Sequence, residues 1–109
     1  MRLTGKEMQI MAVLWRSEHP MTSTEIVEVS KGDRTWKENS IYTLMNTLVK
    51  KGAAVQAKHK PTSTNLARTY KPALTPAEYA VLYITGIRKS GVDVNLKEFV
   101  DRLMENEEG

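Results

Sequence analysis

The most informative segment of this 109-residue chain runs from Asn39 to Gly52, and it has the pattern of a helix with two opposed faces. One face carries apolar residues at the i, i+3, i+4, i+7 spacing of a core stripe: Ile41, Leu44, Met45 and Leu48. The other face carries amides, hydroxyls and a final lysine: Asn39, Tyr42, Thr43, Asn46 and Lys50. Short side chains that donate and accept hydrogen bonds suit base edges in a DNA major groove. The alternative interpretation is an ordinary polar surface helix of low charge.

The charge is unevenly distributed along the chain. The net charge is +3, but residues 31–71 carry nine bases and two acids, a balance of +7. The flanking residues 1–30 and 72–109 balance at −1 and −3. A basic middle between acidic ends predicts a surface that binds a polyanion, with a merely solvated charge cluster as the alternative.

Composition and motifs argue against several other classes of protein. The chain has no cysteine, which excludes disulfides and cysteine metal sites. No apolar run approaches the roughly 18 residues needed to span a bilayer, and the first residues lack the apolar centre of a signal peptide. We therefore expect a cytoplasmic protein. His19 and His59 have no partners at metal-ligand spacing, and phosphate-loop and nucleophile motifs are absent, so we expect no enzyme activity and no cofactor.

The order of elements in the first 73 residues predicts a winged helix-turn-helix DNA-binding domain. Thr4–Glu7 and Thr22–Glu25 have capping-box spacing and open two helices, over 5–17 and 22–30, before the helix described above. In the second helix, Ile26 and Val29 are expected to face the core. Two alternating segments, 54–58 and 67–71, then predict a β-hairpin whose polar loop, 59–66, is mobile. In such a fold the third helix enters the major groove and the hairpin touches the backbone.

Residues 74–109 predict a two-helix dimerisation region. Thr75-Pro76 opens one helix, and Leu96 begins a second with a single apolar stripe. Two such helices bury too little when paired only with each other, so we expect a symmetric dimer. The alternative is that both pack back on their own winged helix. The predicted interface residues are Tyr79, Leu82, Tyr83, Ile87, Leu96, Phe99, Val100 and Leu103.

Several motifs resemble the penicillinase repressors over about residues 3–79. The opening Leu3-Thr4…Glu7…Ile10-Met11…Leu14-Trp15 is similar to the family's "LT-x-x-E-x-x-I-M-x-x-L-W". The segment from Trp36 to Gly52 is similar to "W…T-V-x-T-L-L-x-R-L-x-x-K-G", and Tyr70-Lys71-Pro72 resembles the end of the wing. The resemblance implies a dimeric winged-helix repressor that binds an inverted repeat.

The chain also departs from the family pattern. Thr47 stands where arginine is usual, and Lys37 stands where a better N-cap is common. Copper sensing through a cysteine motif, as in one branch, is ruled out. In the β-lactam branch, cleavage in the C-terminal helices relieves repression, which implies a membrane-peptidase sensor as a possible upstream regulator. The inducing signal stays open at this point.

The sequence thus predicts a DNA-binding transcriptional repressor that blocks a promoter as a homodimer. The predicted base-reading residues are Asn39, Ser40, Tyr42, Thr43 and Asn46. The predicted phosphate-binding residues are Lys37, Lys50, Lys51, Lys58, Lys60 and Arg68. Two alternatives remain: a winged-helix protein–protein interaction module without a DNA target, and a regulator that holds a small molecule at a dimer interface lined by Tyr79 and Tyr83.

Overall fold

A computed structural model of the chain describes residues 1–61 and 66–108, and the side chains of all of these except 58–61, 66 and 108. The elements in chain order are α1 (Gly5–Arg16), β1 (Met21–Thr22), α2 (Ser23–Val29), a 3₁₀ turn (Glu38–Ser40), α3 (Ile41–Lys51), β2 (Ala54–Pro61), β3 (Leu66–Pro72), α4 (Pro76–Lys89) and α5 (Leu96–Glu108). The chain divides into two compact units, Arg2–Pro76 and Ala77–Gly109. Mainly helical structure with a small antiparallel sheet confirms the predicted winged-helix class.

Reciprocal capping boxes open the first two α-helices, as the sequence predicts. The Thr4 hydroxyl accepts from the Glu7 N–H at 3.2 Å, and the Thr4 N–H donates to Glu7 Oε1 at 2.8 Å. Thr22 and Glu25 repeat the arrangement at 3.1 and 2.9 Å. Each box gives partners to backbone donors that the helix leaves unpaired, so both start points are fixed locally.

Within residues 1–61 and 66–108 the sheet has three strands in the order β1-β3-β2, one more than the predicted hairpin. The additional strand, β1, pairs Met21 with Tyr70 and Thr22 with Thr69. The wing strands are also longer than predicted: residues 59–61 belong to β2, and a bulge interrupts the register between Ala57 and Lys60. The remainder of the predicted mobile loop, 62–65, lies outside the described residues.

The core of the first unit lies between α1, α2 and α3. Its largest fully buried side chains are Ile10, Met11, Leu14, Ile26, Met45 and Leu48. Val29, predicted to face inward, is 60% exposed. Ile26, Val27 and Ser30 are buried and span about 100° of the helical wheel, whereas Val29 lies about 60° beyond that arc. The prediction was wrong because it placed Val29 on the same face as Ile26. The buried face instead extends from Ile26 in the opposite direction, towards Val27.

An ion pair joins the start of α1 to the end of α3. Lys51 Nζ lies 2.6 Å from Glu7 Oε1 and also donates to the Arg2 carbonyl at 3.0 Å. The Glu7 side chain is only 3% exposed, and that of Lys51 is 32% exposed. Burial alone would raise the pKa of Glu7, but hydrogen bonds from Lys51 and Thr4, with the lysine charge, outweigh it and hold the pKa below its ordinary value. Glu7 is therefore ionised at neutral pH, and Lys51 is the partner that stabilises its buried charge.

The second unit contains two amphipathic helices. Gly91, at φ +94°, follows the C-terminus of α4, where a left-handed backbone favours glycine. Asn95 caps α5, its Oδ1 accepting from the Glu98 N–H at 2.9 Å. Neither of these helices, nor any other in the described part of the chain, is long and apolar enough to cross a membrane.

Candidate nucleic-acid interface

Helix α3 has the two opposed faces that the sequence predicts. Ile41, Met45 and Leu48 are buried, and Leu44 is half-buried. Tyr42 is 66% exposed, and Thr43, Asn46 and Lys50 are also exposed. The helix ends at Gly52, whose φ of +82° closes it in the left-handed conformation. Three of the five predicted base-reading residues thus project from one exposed side of a helix whose other side is fixed in the core.

The two remaining base-reading candidates precede α3. Asn39 and Ser40 belong to the 3₁₀ turn Glu38–Ser40, so the assumption of one continuous helix from Asn39 was wrong. Neither Lys37 nor Ser40 supplies a side-chain cap, which leaves the α-helix to begin at Ile41 behind a tighter turn. Asn39 is exposed and Ser40 is half-buried, so Asn39 is the more accessible of the two.

The loop that leads into this turn is anchored on both sides. Trp36 is 4% exposed, as expected of an anchor, and the Arg34 guanidinium lies 4.6 Å from the centre of its ring. Gln9 Oε1, on α1, accepts from the Thr35 N–H at 3.0 Å. These contacts hold the entrance of α3 against α1, although the sequence pattern gave no sign of Arg34 or Gln9.

A cleft of 570 Å³ lies between α2 and the start of α3. Lys37, Asn39 and Tyr42 line one wall, and Thr24 of α2 lies on the other. A predicted phosphate-binding residue therefore shares a concave surface with two predicted base-reading residues. Glu38 also lines this cleft, although the sequence interpretation gave it no role.

The predicted phosphate-binding residues have different environments. Lys37, Lys50 and Arg68 are exposed. Lys51 pairs with buried Glu7, and we therefore leave it out of the phosphate contacts proposed below. The side chains of Lys58 and Lys60 lie outside the described part of the structure, although both residues belong to β2.

Apolar side chains are exposed along the second unit. They are Val81, Leu82, Tyr83, Ile87, Val92, Leu96, Phe99, Val100, Leu103 and Met104, each at least 37% exposed. Tyr79, by contrast, is 9% exposed, and its ring centre lies 6.4 Å from that of Tyr83. The two tyrosine rings thus contact each other within α4. No group of three or more metal-ligating side chains occurs in the described residues.

The helices and the three strands found in the described residues define a winged-helix fold. A family model described as "Penicillinase repressor" matches residues 3–108, and the chain belongs to that family. The match confirms the resemblance found in the sequence and extends it through both C-terminal helices. The chain is accordingly a DNA-binding transcription regulator in a family of regulators. A search of curated proteins finds no match to the chain.

Solved structures support the fold at low sequence identity. The Helicobacter pylori ferric uptake regulator is 17% identical with a TM-score of 0.51, over 87% of this chain and 73% of that one. Bacillus subtilis PadR in complex with operator DNA is 17% identical with a TM-score of 0.53, over 94% of this chain and 59% of that one. A PadR family transcription regulator from Clostridium difficile is 16% identical with a TM-score of 0.51, over 96% of this chain and 100% of that one.

Proposed function

We propose that this chain is a sequence-specific repressor that binds an inverted-repeat operator as a homodimer and blocks access of RNA polymerase to the promoter. The observation that carries the proposal is the exposed polar side of α3, with Tyr42, Thr43 and Asn46, opposite a side fixed in the core. An amide such as Asn46 can pair with adenine, and the Thr43 methyl can contact a thymine methyl. Asn39 and Ser40 extend the same reading surface from the 3₁₀ turn.

The partner is double-stranded DNA, and selection from random-sequence duplexes tests the proposal. A dimer with two equivalent reading helices is expected to enrich an inverted repeat whose half-sites lie one or more helical turns apart. Retention of no duplex would instead favour the alternative of a protein–protein interaction module, and equal retention of all duplexes would contradict sequence-specific binding.

We assign contacts with the phosphate backbone of the DNA to five residues: Lys37, Lys50, Lys58, Lys60 and Arg68. These residues lie in the stretch 31–71, whose net charge of +7 favours binding to a polyanion such as DNA. Phosphate contacts hold the protein in register but carry no sequence information, so their removal weakens binding to all duplexes.

Replacing both Lys58 and Lys60 by alanine is expected to weaken binding to every sequence. The log–log plot of affinity against salt should become shallower by about 0.9 for each phosphate that the variant no longer neutralises, counted over both half-sites. Anisotropy titrations at several salt concentrations measure the slope. Lys89→Ala, which removes an exposed charge from α4, is the matched control and should leave the slope nearly unchanged. If the double variant keeps the wild-type slope, the wing does not touch DNA.

Homodimerisation through α4 and α5 is the second part of the proposal. The second unit exposes ten large apolar side chains among its described residues. Monomeric proteins rarely expose so many on so short a segment, and a symmetric second copy would cover them. Light scattering at micromolar concentration should give about twice the chain mass of 12.3 kDa. A folded monomer at that concentration would refute the proposal.

A charge placed in the apolar stripe of α5 is expected to separate the dimer. Phe99→Lys puts an ammonium in the stripe and changes the net charge by +1, whereas Glu105→Lys puts an ammonium outside the stripe, changes the net charge by +2 (from −1 to +1 at that position) and serves as control. Sedimentation velocity should show a monomer only for Phe99→Lys, and that variant should also bind operator DNA more weakly, because one half-site alone provides too few contacts. Equal dimerisation of the two variants would place the interface elsewhere.

A membrane-peptidase sensor is the upstream partner that family membership suggests. Two bonds are candidates for cleavage: Asn95–Leu96, at the start of α5, and Phe99–Val100, inside it. Cleavage at Asn95–Leu96 would separate α5 from the rest of the chain and remove half of the exposed apolar residues of the proposed dimer surface, whereas cleavage at Phe99–Val100 would remove most of α5 and leave its first turn attached. Mass spectrometry of the chain from induced cells decides whether such a cut occurs.

A further inference from the structure

Glu38 is an isolated carboxylate beside the proposed DNA-reading residues. Residues 34–77 carry eight lysines and arginines but only this one acid. Glu38 begins the 3₁₀ turn before α3, directly between Lys37 and Asn39. An acid in this position reduces attraction to phosphates, so its presence calls for a specific role.

A structural role for the Glu38 side chain is small. The side chain is exposed, and the contact that orders the turn is made by the main chain, where the Ile41 N–H donates to the Glu38 carbonyl. An exposed acid in a first helical turn gains only about 0.3–1 kcal/mol from the helix dipole. The Glu38 carboxylate therefore contributes little to folding.

The position of Glu38 favours contact with a base. Glu38 lines the same cleft as Asn39 and Tyr42, on the wall that belongs to the reading surface. The cleft's other acid, Glu28, lies on α2 and already pairs with Lys31 at 3.3 Å. Of the two carboxylates, only Glu38 belongs to the segment that carries the proposed base-reading residues.

A carboxylate can only accept hydrogen bonds at neutral pH, and this limits which base it can contact. In the major groove both cytosine N4 and adenine N6 are amino donors, but the adenine N6 donor lies between two acceptors, adenine N7 and thymine O4, which would repel the carboxylate. Guanine and thymine themselves present only acceptors, so cytosine N4 is the most favourable partner. We propose that Glu38 accepts a hydrogen bond from cytosine N4 in each half-site and so sets a preference for a C·G pair at that position. The inference rests on the proposed operator-binding function.

The test is selection from random-sequence duplex DNA with the full-length wild type, Glu38→Gln and Glu28→Gln. Both variants lose one negative charge from the same cleft, so Glu28→Gln, which also releases Lys31, controls for the change of net charge. The wild type should enrich an inverted repeat with one symmetric C·G position that Glu38→Gln no longer enriches. Measured on single-site variants, discrimination at that position should fall roughly tenfold per half-site.

The outcomes separate the two levels of the proposal. If the wild type enriches no sequence, the operator-binding function fails and the inference with it. If the wild type and Glu38→Gln enrich the same repeat, only the inference about Glu38 fails. A uniform change of affinity for all duplexes in both variants overturns it as well, because that result shows a general charge effect. Thermal melting of Glu38→Gln should match the wild type, since its side chain is exposed.

Discussion

Replacing Lys51 by methionine is expected to lower the free energy of unfolding by about 2–3 kcal/mol at neutral pH. The change leaves the carboxylate of Glu7, which is 3% exposed, without its ammonium partner. Removing one member of a fully buried ion pair typically costs about 3–5 kcal/mol. We expect a smaller effect because Lys51 keeps 32% of its side-chain exposure. Urea unfolding of the two proteins measures the difference.

Lys50→Met is the matched control for this experiment. Lys50 is the preceding residue of α3 but is exposed and is proposed to contact a phosphate. The Lys50→Met variant should therefore have a free energy of unfolding within about 0.5 kcal/mol of the wild type, as surface changes usually do. It should also bind DNA more weakly. If Lys51→Met lost DNA affinity without losing stability, the original assignment of Lys51 to a phosphate would be restored.

The same ion pair gives the stability of the fold a defined dependence on pH. The pKa of Glu7 is lowered in the folded chain, so its contribution is complete above the unfolded-state pKa and is lost as the pH falls through the folded-state value. Glu7→Gln removes this contribution. The gap in unfolding free energy between wild type and Glu7→Gln should therefore be largest at neutral pH and should shrink in acid. A gap that stays constant over this range would mean that Glu7 does not titrate with the fold.

Local signals in the sequence were sufficient to predict most helices of this fold. The two capping boxes and Gly52 act through neighbours three or four residues away, so their spacing alone identifies helix ends. The opposed faces of α3 follow in the same way from helical periodicity. These features needed no knowledge of tertiary contacts.

Features that depend on distant partners could not be predicted from periodicity. Lys51 and Glu7 are 44 residues apart, and nothing local distinguishes Lys51 from Lys50. Strand β1 has only two residues, and it is a strand because of its pairing with Thr69 and Tyr70. The 3₁₀ turn before α3 was missed for a different reason: the pattern of polar residues fits a helix, but no side chain caps one at that point.

Replacing Asn46 or Thr43 by alanine is expected to change DNA specificity and not stability. Both residues are exposed on α3, opposite its buried residues, so thermal melting should shift little. Removing each base contact should cost roughly 1–3 kcal/mol at the selected operator and little on random DNA. A symmetric dimer makes every such contact twice, so the cost on the full operator should be about double that on one half-site.

Thr47→Ala supplies the internal control for this last prediction. Thr47 lies one turn after Thr43 on the same helix, but it is half-buried and its hydroxyl donates to the Thr43 carbonyl at 2.9 Å. Since that hydroxyl already has a partner within the helix, its removal should affect operator and random DNA little and equally. Anisotropy titrations on both duplexes compare the three variants. Equal loss of affinity on operator and random DNA for Asn46→Ala would make Asn46 a phosphate contact, and unfolding of that variant would refute the assignment of the two faces of α3.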